Sequence, residues 1–319
     1  MTQPAAWPAQ TEEQKARAKL TRGAAVASIS TALLLVGLKV YATLQTGSTA
    51  MLGSLADTAL DLVASLATLV GVWIAAQPAD EDHRFGHGKA ESLAAMFQVI
   101  LIALSASGIA FRAIAHLVEG HKTAAAEEGI AVSLIAIVAT LLLLAWQRHV
   151  IRKTGSLAIR TDHLHYQSDL LLNAAVIAAL VLDQYLGWAQ ADPLFGLGIA
   201  AWLLWGAWRA AREAVDHLMD REWPEERRQE FLAVLARHSE IRGVHDLRTR
   251  TSGVDDFVQF HMAVDPHLTI VEVHALMDEV EERLEREFPG VEVLIHPDPK
   301  GLVNEAGPAS EELLPGLKE

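Results

Sequence analysis

The pattern of apolar and polar positions divides the chain in two. Six apolar segments, each about twenty residues or more and so long enough to cross a bilayer, run approximately over residues 23–44, 48–76, 92–118, 129–146, 164–186 and 195–211. The last is interrupted by Arg209 and ends near Arg212, and no long apolar run follows Val215. From Arg221 the elements become short and amphipathic. Trp223-Pro224-Glu225-Glu226 predicts a helix start, since Pro fits the first turn and acids favour the N-terminal end; that helix is expected to reach about His238. Residues 241–250 and 255–264 read as strands around a turn at Ser252-Gly253. Ile270, Val273, Leu276, Met277, Val280 and Leu284 recur at helical spacing and predict an amphipathic helix over 269–288. Pro289-Gly290 stops it, and 291–296 is the third strand. The expected fold is an α-helical membrane protein with six transmembrane helices, followed by a small α+β domain of order αββαβ with its helices on one face of the sheet. The expected divisions are an N-terminal arm (1–22), a membrane domain (23–215), the αββαβ domain (221–300) and a flexible tail (301–319).

Polar positions inside the apolar segments carry the chemistry. An ionisable side chain within a span costs roughly 2.5–3.5 kcal/mol on insertion scales. Asp57 and Asp61 are four apart in the second segment, and His165 and Asp169 are four apart in the fifth. Residues at i and i+4 share one helix face, one turn apart. Ser54, Asp57, Asp61, Ser65 and Thr68 form one stripe; Asp162, His165, Asp169 and Asn173 form another. Facing each other, the stripes would line a path and bring three carboxylates and one imidazole together, a four-coordinate O/N set suited to a divalent cation such as Zn2+. Ser and Thr alone would serve as a packing seam, but packing has no use for charge at this cost. An empty site crowded with carboxylates takes up protons, and a metal demands deprotonated ligands. Metal and proton therefore compete, and a site that opens alternately to each side becomes an antiporter. Histidine changes charge nearest neutral pH, so His165 is the expected titrating group.

Lys15, Arg17, Lys19 and Arg22 in the arm, Arg84 and Lys89 after the second segment, and Arg148, Arg152, Lys153 and Arg160 after the fourth lie on one side. The opposite connections carry Lys122 alone. This asymmetry predicts cytoplasmic termini. The arm has no apolar stretch with a cleavage site, so no signal peptide is expected. The chain has no cysteine, which leaves histidine and carboxylates as metal ligands. Its net charge of -14 argues against nucleic acid as a partner. Neither His-Glu-x-x-His nor a phosphate-binding Gly-x-x-x-x-Gly-Lys-Ser/Thr is present, and no enzymatic activity is expected.

Three stretches, Pro78-Ala79-Asp80-Glu81-Asp82-His83-Arg84-Phe85-Gly86-His87-Gly88-Lys89-Ala90-Glu91, Leu164-His165-Tyr166-Gln167-Ser168-Asp169 and His245-Asp246-Leu247-Arg248-Thr249-Arg250, stand in order within the six segments and the αββαβ tail. On them the chain resembles the cation diffusion facilitator family, of the YiiP-type bacterial exporters of zinc and ferrous iron. The resemblance covers nearly everything from the first segment to Lys300. It implies a homodimer in the bacterial inner membrane that exports divalent metal from the cytoplasm in exchange for protons, with a metallochaperone-like cytoplasmic domain. It implies a transport site of Asp57, Asp61, His165 and Asp169. It also implies a loop site of Asp80, His83 and His87, where Gly86 and Gly88 allow a tight turn, and a binuclear site of His245, His261, His274, His296 and Asp298. The transport ligands imply Zn2+ first, with Fe2+, Cd2+ or Mn2+ as further candidates. Its partners are then metal cations, protons, the lipid bilayer and a second copy of the chain. A membrane metal receptor that binds without transporting is the alternative; it has no use for intramembrane carboxylates.

Overall fold

The computed structural model describes residues 12–46, 49–119, 130–186, 188, 190–237, 242–253 and 255–301. The proposed tail after Gly301, the first eleven residues of the arm, and Lys122 and His238 lie outside them. The chain divides into two compact units, residues 1–80 with 87–215 and residues 81–86 with 216–319.

The first unit is helical. Its helices are α1 (Glu12–Thr46), α2 (Thr49–Ala75), α3 (Ala90–Glu119), α4 (Ile130–Thr154), α5 (Leu157–Leu186) and α6 (Ala191–Leu218). Half of the charged arm is thus helical and runs unbroken into the first apolar segment. Among the described residues, α1, α2, α3, α4 and α6 contain stretches long and apolar enough to cross a membrane. The thirty residues of α5 would span about 45 Å, and Arg160, Asp162, His163, His165 and Asp169 crowd its first half. The apolar segment expected at 164–186 lies within α5.

Small residues bring these helices close. Ala24, Ala25, Val72, Ala94, Val150, Ala158 and Ile159 form one buried cluster. A Cβ on Gly71 of α2 would lie 2.3 Å from the Ala94 Cβ of α3, so glycine is required for that approach. In lipid, where apolar surface gives no drive to associate, such close packing replaces the hydrophobic effect. Large apolar side chains face outward instead, among them Leu33, Leu60, Phe111 and Trp208. Such a surface suits hydrocarbon rather than water.

The second unit contains α7 (Glu225–Leu235), β1 (Arg242–Ser252), β2 (Asp255–Val264), α8 (Ile270–Glu287) and β3 (Val291–Pro299). The predicted αββαβ order holds. The sheet order is β1-β2-β3, antiparallel between β1 and β2 and parallel between β2 and β3. A parallel pair needs a crossover, and α8 supplies it. Val258, Phe260 and Met262 alternate along β2 and pack with Phe231 and Leu235 of α7 and with Val280 and Leu284 of α8. The strand period of two therefore sends Gln259, His261 and Ala263 to the opposite face. Thr269 caps α8: its hydroxyl accepts from the Glu272 N–H while the Glu272 carboxylate accepts from the Thr269 N–H, a capping box.

Candidate metal centres

In the helical unit, Asp61 of α2 meets His165 and Asp169 of α5. Each offers a ligand atom, all within 4.8 Å of one another, and His165 Nε2 lies 3.0 Å from Asp61 Oδ1. Tyr166, next in sequence, locks α5 in place: its hydroxyl donates to the Ser28 carbonyl of α1 at 3.0 Å and lies 2.9 Å from Ser65 Oγ of α2. Those contacts fix the rotation of α5, and hence the direction of His165. Asp57 is one turn before Asp61 on α2; its residue is exposed and stands outside the cluster. The structure thus brings three of the four expected residues together. One imidazole and two carboxylates are a hard-to-borderline donor set that fits Zn2+, Fe2+ or Mn2+.

Asp162 differs from its expected place in the path. Its fully buried carboxylate accepts from Ser28 Oγ of α1 at 2.6 Å, from Gln147 Nε2 of α4 at 2.7 Å and from Gln98 Nε2 of α3 at 2.9 Å. Gln98 Nε2 also reaches Thr68 Oγ1 of α2 at 2.5 Å. His163 Nδ1 sits 3.1 Å from Gln147 Oε1, which gives this extra imidazole a partner other than a metal. A polar knot joining α1 to α5 therefore lies one turn from His165. Gln98 and Gln147, polar residues within apolar segments, were its visible signals, but helical spacing along one segment does not reveal partners on four others.

In the second unit the strand register builds a site. His245 of β1 is paired with His261 of β2, and His261 with His296 of β3, so three imidazoles cross the face opposite α7 and α8 in one row. Their ring centroids are 5.1 Å and 4.6 Å apart. Asp298, two residues after His296 and on the same face, places Oδ2 2.7 Å from His261 Nδ1 and 3.2 Å from His245 Nε2. His245, His261 and Asp298 have ligand atoms within 4.8 Å of one another. His296 Nε2 is 3.5 Å from Asp298 Oδ1, and its side chain is 65% exposed. His274, on α8, is exposed and paired with Asp278 at 3.3 Å; it stands apart from the cluster. Sequence reasoning missed Asp246. The register slips between His245 and Arg248, Asp246 takes a φ of 49°, and its carboxylate reaches to 3.8 Å from His261 Nε2. Asp tolerates that left-handed backbone better than most residues.

In the loop before α3, Asp80, His83 and His87 offer ligand atoms within 4.8 Å of one another. Asp80 Oδ2 is 3.4 Å from His87 Nε2. The other nitrogen of His87, Nδ1, lies 3.1 Å from the Pro78 carbonyl, which orients the ring as ligand histidines require. Gly86 has a φ of 75°, so glycine is what lets the chain turn there.

Residues 25–219 match the family profile of the cation efflux transmembrane domain, and residues 223–300 match that of the cation efflux protein cytoplasmic domain. The cation-efflux pump FieF of Klebsiella pneumoniae subsp. pneumoniae is 46% identical over 285 residues, 89% of this chain and 95% of that protein. FieF of Escherichia coli O127:H6 is 43% identical over 292 residues, 92% of this chain and 97% of that protein. FieF of Cronobacter sakazakii is 44% identical over 285 residues, 89% of this chain and 95% of that protein.

Proposed function

The chain belongs to the cation efflux family, the cation diffusion facilitators, in its FieF/YiiP branch; on that premise we propose that it exports Zn2+ from the cytoplasm in exchange for protons. Membership makes it a multi-pass membrane transporter of divalent metal cations rather than an enzyme. The finer reading rests on one observation: Asp61, His165 and Asp169 converge within 4.8 Å between two helices of the membrane unit.

Asp61 and Asp169 supply negative charge to the cation, and His165 supplies a neutral nitrogen. Asp57, a turn away on α2, is proposed as the fourth ligand, joining as the helices shift during transport. His165 Nε2 and Asp61 Oδ1 lie 3.0 Å apart, so a proton shared between them must leave before both can bind the ion. Protons and metal thus exclude each other at the same atoms, and alternating access turns that exclusion into exchange. Zn2+ is the proposed cargo because a mixed imidazole–carboxylate set of four suits tetrahedral coordination, with Fe2+, Cd2+ and Mn2+ as competitors.

His245, His261, His274, His296 and Asp298 are proposed to hold two ions at the face of the sheet between two copies of the chain. The match to the cytoplasmic domain of this family supports that placement. His274 and the exposed His296 would then complete coordination across the dimer. Asp80, His83 and His87 are proposed as a further site. The proposed location is the bacterial inner membrane with both termini in the cytoplasm, which the Lys and Arg asymmetry supports.

Zinc flux into proteoliposomes under an imposed pH gradient tests the reading. Wild type is expected to move Zn2+ with the gradient and Asp61→Ala to be inactive. Zn2+ binding by wild type without flux would overturn transport in favour of a receptor. Flux that ignores the gradient would overturn proton exchange.

A further inference from the structure

Asp162 is a buried carboxylate that the metal site does not use. We propose that it is a second proton-binding group of the membrane unit, loaded when the metal site is empty and unloaded when a divalent cation arrives. This rests on the proton-exchange reading given above.

The cage around it accommodates both protonation states. Ionised, Asp162 is held by three donors, Ser28 Oγ, Gln147 Nε2 and Gln98 Nε2. Gln98 is unusual within that cage. Its Nε2 has two hydrogens and three acceptors in reach: Asp162 Oδ1 at 2.9 Å, Thr68 Oγ1 at 2.5 Å and the Ala64 carbonyl at 3.3 Å. Its Oε1 is buried and has no hydrogen-bond partner among the described residues. A half-turn of the amide exchanges these atoms and presents Oε1 to Asp162 Oδ1. There it would accept the O–H of a neutral carboxylic acid. One terminal rotation, with no helix displaced, therefore offers the acid an acceptor, in exchange for the Nε2 contacts to Thr68 Oγ1 and the Ala64 carbonyl. A permanently ionised anchor would have no need of an acceptor in reserve, since a buried unsatisfied oxygen is itself unfavourable.

The metal site is close enough to set the balance. Asp162 is three residues before His165 on α5, hence about one turn away. A divalent cation held at Asp61, His165 and Asp169 favours the ionised form of a carboxyl nearby. The groups facing Asp162 are Ser28 from α1, Gln98 from α3 and Gln147 from α4, and Thr68 of α2 meets the knot through Gln98. On α5 itself, His165 acts on it electrostatically and Tyr166 bonds into the same knot. His163 meets the knot through Gln147 and is acted on by Arg148 of α4. When metal binds, the O–H bond at Asp162 breaks, the electron pair stays on Oδ1 and the proton passes to solvent; when metal leaves, the step reverses.

The test is calorimetry of Zn2+ binding to the full-length protein in buffers of different ionisation enthalpy, which reads protons released per Zn2+. A His87→Ala, His261→Ala background confines the signal to the membrane site. Asp162→Asn, whose amide N–H can face Gln98 Oε1, is expected to keep Zn2+ affinity within about tenfold, because an outer partner is lost and not a ligand. It is expected to release fewer protons, by up to about one per Zn2+. Gln98→Met removes both the donor to the carboxylate and the acceptor for the acid; the pH midpoint of the release should move away from that of wild type. This variant decides the matter if Asp162→Asn does not fold. Release equal to wild type in number and midpoint in the folded variants overturns the role of Asp162 alone. If wild type releases no protons at all, the proton-exchange reading falls with it.

Discussion

At the residue scale, expected site residues that share one element or one loop do lie near one another in the structure. His165 and Asp169 were picked out by their spacing on one helix face, whereas Asp80, His83 and His87 came from the family resemblance; the structure brings each set close together. What spacing did not reveal was rotation and register. Asp162 fell on the expected stripe, yet its oxygens are taken by Ser28, Gln98 and Gln147. Asp246 stood beside His245 in a recognised stretch, but only the slip in the β1–β2 register brings its carboxylate toward His261. That geometry separates two variants. Asp246→Gly keeps the left-handed backbone available and removes only the carboxylate near His261. It is expected to weaken Zn2+ binding at the sheet site about tenfold, the usual consequence of losing a group that orients a ligand. His261→Ala, which removes the central imidazole of the row, should abolish binding there. Calorimetry on the full chain with a His87→Ala, Asp61→Ala background separates this site from the loop and the membrane site; equal affinity with and without Asp246→Gly in that background would remove Asp246 from the site.

At the element scale, β2 was predicted to the residue, because Gly253 before it and Pro266 after its last strand residue mark sharp limits. α1 starts at Glu12, inside the arm expected over residues 1–22, as Lys, Arg and Glu are good helix formers. The cap of α8 offers a measurable consequence. The Thr269 backbone N–H, followed by its hydroxyl, holds the Glu272 carboxyl below its ordinary range. A depressed folded-state value means that the stabilisation is complete above the ordinary carboxylate range and is lost as pH falls through it. Thr269→Ala removes the hydroxyl half of the box and should cost about 1 kcal/mol. Amide exchange of the first turn of α8, followed by mass spectrometry, should quicken in the variant at neutral pH, and the difference from wild type should narrow in acid without vanishing. In the membrane unit, Gly71→Val would drive Cβ into Ala94, an overpacking that costs typically about 1–3 kcal/mol or more. Gly37→Ala, where a Cβ meets nothing within 4 Å, is the control. Thermal aggregation of the detergent-solubilised protein should drop in temperature for the first and not for the second.

At the scale of the whole molecule, net charge and metal chemistry pull in opposite directions. The chain carries 26 Lys and Arg against 40 Asp and Glu, so two copies of net charge -14 repel each other over distances set by ionic strength. The face of the sheet opposite α7 and α8 presents its histidine row with Asp298, and the proposed dimer joins there. Divalent cations bound at that face would lower the negative charge and supply coordination bonds at the same place. The dimer should therefore depend on metal most strongly where screening is weakest. Removing metal with a chelator at low salt is expected to shift wild type toward monomer, and added salt should partly restore the dimer without metal. His261→Ala should respond to salt as wild type does but be indifferent to chelator. Mass photometry of the detergent-solubilised protein across a salt series reads all three. A wild-type dimer equally stable with and without chelator at every salt concentration would show that metal at the sheet face does not join the subunits.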